Sequence, residues 1–103
     1  MADLELDLTS ADAGSVITVR GEIDMATAPQ LRAVLDQLIE AGSQRIVLDC
    51  RALAFLDSSG IGVLVAARNR LSDDGAIVLD SPPAHVRKVL EITGVSSHLS
   101  VVP

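Results

Sequence analysis

The chain has 103 residues, 49% of them apolar, a formal net charge of −6 and one aromatic residue, Phe55. That length holds a single domain, residues 1–103, with an aliphatic core. The negative charge would repel a phosphate backbone, and without aromatic platforms bases have nothing to stack on, so nucleic acid is not expected as a partner.

Leu4, Leu6 and Leu8 alternate with Asp3, Glu5, Asp7 and Thr9, the period of two of a strand with one wet face. Ser10 to Gly14 reads as a turn, and Ser15 to Arg20 as a second strand, antiparallel to the first across so short a loop. The chain therefore opens with a hairpin, which ends at Gly21-Glu22-Ile23-Asp24. Thr27 and Gln30 have the spacing of a capping box, and Pro29 fits a first helical turn. Leu31, Val34, Leu35, Leu38 and Ile39 line one face of the helix that follows, and Gly42 is placed to stop it in the left-handed conformation.

Arg45 to Cys50 holds a short continuous apolar run, which predicts a central strand covered on both faces. A helix between two strands implies a parallel, right-handed crossover. A second apolar run, Ala54-Phe55-Leu56, breaks into Asp57-Ser58-Ser59-Gly60, and Ile61, Leu64, Val65, Arg68 and Leu71 then recur at helical spacing. Ser72 to Gly75 reads as a turn and Ala76 to Leu79 as the next strand. Ser81-Pro82-Pro83 marks a helix start with the serine as candidate cap, Val86, Val89 and Leu90 give that helix its apolar face, and Gly94 closes it. The tail from Leu99 to Val102 either adds a short strand or packs across the last helix. The order predicts an α/β fold, a mixed sheet of four to five strands opened by an N-terminal hairpin and covered by helices.

The longest apolar runs fall far short of the roughly 20 residues that span a bilayer. Asp3 and Glu5 stand where a secretory leader carries basic residues. These features predict a cytoplasmic protein with no membrane partner. Cys50 has no second cysteine to pair with, and with His85 and His98 it shows no metal-ligand spacing, so no metal is expected and the thiol reads as buried and inert.

Chemistry concentrates in the Asp57 to Gly60 turn. Asp and Ser are the residue types that cap helices, and capping alone accounts for the pattern. A helix N-terminus also carries unpaired N–H groups and partial positive charge, so Ser58 or Ser59 is equally a candidate phosphorylation site whose added charge its own helix partly stabilises. Asp24, just ahead of another helix, reads as a turn acid bonded within its loop. A hydrolase elbow is not encoded, because Leu56 and Asp57 stand two residues before Ser58 and Ser59 where the motif needs glycine. No Gly-Lys-Ser/Thr follows Gly60 and Gly62, and Lys88 is the chain's only lysine, so a Walker-type nucleotide site is excluded. Asp24 and Asp57 as a carboxylate pair for sugar chemistry lack an aromatic-lined cleft. No cofactor and no catalysis are expected.

Asp57-Ser58-Ser59-Gly60-Ile61-Gly62 after an apolar strand, with Gly21-Glu22-Ile23-Asp24 one helix–strand unit upstream, resembles the STAS domain of anti-sigma factor antagonists, from about Leu4 to Val101. The resemblance implies a STAS-like fold and a transcription-regulating partner switch. In such proteins the unmodified domain binds an anti-sigma factor, typically also a serine kinase, and so frees a sigma factor. The kinase phosphorylates the first serine of the motif, here Ser58, and a serine phosphatase reverses the mark. Asp24, Asp57, Ser58, Ser59 and Gly60 match positions at the partner surface. Two alternatives stand beside this one: a STAS accessory subunit of a transporter or sensory assembly in which Ser58 is merely a cap, and a small hydrolase using Ser58.

Overall fold

A computed structural model describes residues 3–11 and 14–103. Strand β1 (Leu4–Ala11) pairs antiparallel with β2 (Gly14–Ile23), Leu4 opposite Gly21 and Leu8 opposite Ile17. Asp12 and Ala13, at the middle of the expected turn, lie outside the described residues. Helix α1 (Ala28–Glu40) leads to β3 (Arg45–Leu56), α2 (Ser58–Asn69) to β4 (Ala76–Asp80), and α3 (Ala84–Thr93) through a 3-10 turn (Val95–Ser97) to β5 (Ser100–Val102). The five strands lie side by side in chain order, and all pairs after the first are parallel. The tail thus forms a strand.

Three successive crossovers each step one strand in the same direction. With the right hand such units take, that places every helix on one face of the sheet. One hydrophobic cluster follows: Ile17, Val19, Ile46, Leu48, Ile77 and Leu79 from the strands meet Leu31 and Leu35 of α1, Leu64 of α2, and Val86 and Leu90 of α3. Burying a leucine or isoleucine of this kind contributes about 2 kcal/mol. The same geometry corrects the expectation that β3 is covered on both faces. Ile46, Leu48 and Cys50 are buried, but Val47 and Asp49, which alternate with them, are only half-buried on the side that no helix reaches. That open face carries ion pairs instead, Arg20 with Asp7 and Arg51 with Asp49. The hydrogen bond from Arg51 holds the Asp49 carboxyl below its ordinary range.

Cys50 sits within the core face, where burial, followed by the charges of Asp49 and Asp80, pushes its thiol up to about 12. It stays protonated and unreactive at neutral pH, as its place in the sequence predicts. Helix α1 stops as expected at Gly42, with Ser43 N–H donating to Leu38 O at 2.9 Å and Gly42 N–H to Ile39 O at 3.0 Å, the paired bonds of a Schellman motif.

Two predicted caps are absent. The Ser81 hydroxyl donates to Asp80 Oδ1 at 2.8 Å and its N–H to Val102 O at 3.0 Å, tying the loop to β5, so α3 begins only after Pro83. The Thr27–Gln30 capping box does not form either. Gln30 Nε2 reaches across to Leu4 O at 2.8 Å, and Thr27 turns its hydroxyl back toward β2. Among the described residues, no helix is long and apolar enough to cross a membrane.

Candidate functional site

Strands β2 and β3 run several residues beyond the predicted ends, and their extensions pair with each other, Glu22 beside Phe55 and Ile23 beside Leu56. The two acid-bearing motifs therefore leave the sheet at one end, as neighbours. Asp57 N–H donates to Ile23 O at 3.2 Å, which stitches the two exits together. The motif glycines follow from how closely these segments approach. A Cβ on Gly21 would lie 2.1 Å from Asp3 O, and one on Gly60 would lie 2.5 Å from Ile23 Cγ2 and 2.6 Å from Leu56 Cδ1. Gly60 lets the first turn of α2 rest on the ends of both strands.

Asp57 is the N-cap of α2. Its Oδ1 accepts from Ser59 N–H at 2.9 Å and from Gly60 N–H at 3.4 Å, and its backbone O receives the first helical bond from Ile61. Ser58 is the first helical residue and is exposed, while Ser59 is half-buried. Among the described residues the Ser58 hydroxyl makes no hydrogen bond. The cap also alters the electrostatics expected of this turn. Asp57 already places a carboxylate on the free N–H groups of the helix, so a second anion at Ser58 meets a neutralised helix end and a like charge next to it.

Asp24 takes a different part. Its Oδ1 accepts from Ala26 N–H at 2.9 Å and Thr27 N–H at 3.0 Å, the bonding of a turn acid. Thr27, 7% exposed, completes the loop: its Oγ1 accepts from Asp24 N–H at 2.9 Å and donates to Glu22 O at 2.8 Å. This shaping role of Thr27 was hidden by its capping-box spacing. The loop holds Asp24 half-buried and leaves Met25 80% exposed.

The histidines lie elsewhere. His85 Nε2 meets Ala54 O and His98 Nδ1 meets the neighbouring Ser97 hydroxyl. Among the described residues no three His, Cys, Asp or Glu side chains are placed to hold a metal ion. Among the described residues the Ser59 hydroxyl makes no hydrogen bond either, so the site offers an exposed hydroxyl at Ser58, a half-buried one at Ser59, flanking carboxylates and a fixed backbone.

Residues 6–103 match the family model described as "Mlab, STAS domain". BtrV of Bordetella bronchiseptica, provisionally named an anti-sigma factor antagonist, is 32% identical over 97% of this chain and 84% of its own. The crystal structure of an anti-sigma factor antagonist from Mycobacterium paratuberculosis superposes with a TM-score of 0.90 at 27% identity, over 98% of this chain and 86% of that one. The Bacillus cell fate determinant SpoIIAA, solved in its phosphorylated form, gives a TM-score of 0.71 at 26% identity, over 98% of this chain and 92% of its own.

Proposed function

The chain belongs to the STAS domain family, among the anti-sigma factor antagonists, and on that premise we propose that it is a phosphorylation-controlled partner switch in the cytoplasm. The unmodified domain binds an anti-sigma factor that is also a serine kinase, and so frees a sigma factor for transcription. The kinase phosphorylates Ser58, which ends binding, and a serine phosphatase restores it. The domain acts by binding and not by catalysis, and neither nucleic acid nor a membrane is its partner.

The observation that carries this reading is the exposed, unbonded hydroxyl of Ser58 beside the Asp57 cap. The reading gains support from SpoIIAA, a relative by fold and sequence that exists in a phosphorylated form. Asp24, Asp57 and Ser59 make up the rest of the partner surface around it, the acids by charge, while Gly60, expected at that surface, is buried and serves it only by shaping the turn. Phosphorylation adds about −1.5 to −2 charge. At Ser58 that charge falls next to Asp57, on a surface that must lose water to bind. A penalty of about 3 kcal/mol weakens binding roughly a hundredfold. No refolding is needed.

The test is site-mapped phosphorylation of the purified protein by ATP and native cell extract, run beside Ser58→Ala. Label confined to Ser58 and absent from the variant is the expected result. Label on the variant overturns the assignment of Ser58. No label on either protein, with phosphatases inhibited and a control kinase active, favours a STAS accessory subunit in which Ser58 only begins a helix.

A further inference from the structure

A chain with one aromatic residue would be expected to bury it, since burying so large an apolar side chain is among the larger single contributions to a core. Here the core is built from aliphatic side chains and Cys50, and Phe55 is left 43% exposed. It lies in register with Glu22, one residue before the Leu56–Asp57 exit from the sheet. Met25 is 80% exposed on the adjoining loop, between Asp24 and Ala26. That loop is not slack. The bonds from Ala26 N–H and Thr27 N–H to Asp24 Oδ1, and from Asp24 N–H to Thr27 Oγ1, fix the backbone on both sides of Met25 and present its side chain outward. Two exposed large apolar side chains therefore stand on the two segments that frame Ser58.

The two segments themselves carry charge of a single sign, with Arg32 and Arg70 reaching the neighbouring pocket that Ser59 lines. Residues 21–31 and 52–67 contain Glu22, Asp24 and Asp57 and not one Lys or Arg. Elsewhere three acids are paired with arginine among the described residues, Asp7 with Arg20, Asp36 with Arg32 and Arg70, and Asp49 with Arg51. Apolar anchors within a rim of unpaired carboxylates have the composition of an interface centre, where Met and aromatic side chains are enriched and surrounding polar groups keep water out.

We infer that Met25 and Phe55 are the apolar anchors of the partner surface, and that they seat in a recess of the anti-sigma factor whose walls are apolar and whose rim carries Lys or Arg. The inference rests on the partner-switch reading of Ser58. It also gives the switch its amplitude: a phosphoryl group at Ser58 stays hydrated, and it sits three residues beyond Phe55, on the segment paired with the strand that leads to Met25, whose dewatering with Phe55 drives docking.

The test uses the full chain carrying Ser58→Ala, so that no phosphoryl transfer disturbs the titration, and the kinase purified by its labelling of Ser58 in the unsubstituted protein. Met25→Gln and Phe55→Ser each weaken binding about tenfold, as loss of an anchor does. Leu8→Ser and Ile92→Ser, at side chains 47% and 75% exposed elsewhere on the surface, leave it unchanged. Raising the salt concentration weakens binding of the parent, because the rim contacts are charged. Met25→Gln, on a loop whose bonds are made by the backbone and by Asp24 and Thr27, keeps the parent's melting temperature and so separates lost contact from lost fold. If Met25→Gln and Phe55→Ser bind as tightly as the parent, the anchors are not Met25 and Phe55, while the Ser58 reading stands. If no Ser58-labelling kinase exists, that reading falls and the inference falls with it.

Discussion

The two turns that leave the sheet side by side are made from the same parts and put to different use. Each follows a parallel strand, begins with an aspartate, contains a hydroxyl residue and opens a helix. Before α1 the hydroxyl is spent: Thr27 is 7% exposed, with its oxygen engaged by Asp24 N–H and Glu22 O. Before α2 the aspartate alone does the capping, and Ser58 is left exposed with its hydroxyl unbonded. What distinguishes a regulatory hydroxyl from a structural one is thus the bonding its neighbours have already completed. A phosphoryl group on Thr27 would have to break the loop open, whereas one on Ser58 displaces nothing.

That comparison can be broken at four points. The largest effect is expected where the turns touch, because a Cβ on Gly60 would lie 2.5 Å from Ile23 Cγ2 and 2.6 Å from Leu56 Cδ1. Gly60→Ala should cost about 2–3 kcal/mol, read as a fall in melting temperature of the order of 10 °C. Gly62→Ala, two residues on, is the control: its Cβ meets nothing within 4 Å, and the helix should gain just under about 1 kcal/mol. Next comes Thr27→Val, which keeps the shape and leaves Asp24 N–H and Glu22 O without their partner. A loss of about 1–3 kcal/mol in denaturant unfolding is expected, with Thr27→Ser recovering most of it. Asp57→Ala should cost about 1 kcal/mol through the lost cap, and Asp57→Asn much less, since the amide oxygen still accepts from Ser59 N–H. Ser58→Ala should change stability by less than about 0.5 kcal/mol. A loss there as large as that of Thr27→Val would erase the distinction between the two turns.

Much of this was legible in the sequence. The strand–strand–helix order, the helix faces and the Gly42 stop come from local periodicity and turn chemistry, which act within a few residues. The Asp57 cap was readable for the same reason. What stayed hidden depends on contacts distant in sequence. Thr27 and Gln30 have the spacing of a capping box, but Gln30 Nε2 finds Leu4 O, a partner 26 residues away, and Thr27 is drawn to the end of β2. Ser81 stands before two prolines like a cap, yet its N–H is claimed by Val102. The apolar run in β3 suggested two covered faces, and only the direction of three successive crossovers leaves one of them open. Exposure of Phe55 was equally beyond local reading, although its being the sole aromatic residue was a signal.

The measurement that tests the account most directly is the affinity of the purified kinase for this chain before and after stoichiometric phosphorylation of Ser58. The account predicts a roughly hundredfold loss, about 3 kcal/mol, with far-ultraviolet circular dichroism and melting behaviour unchanged. Equal affinity in the two states would contradict it, and so would a loss that came with unfolding of α2.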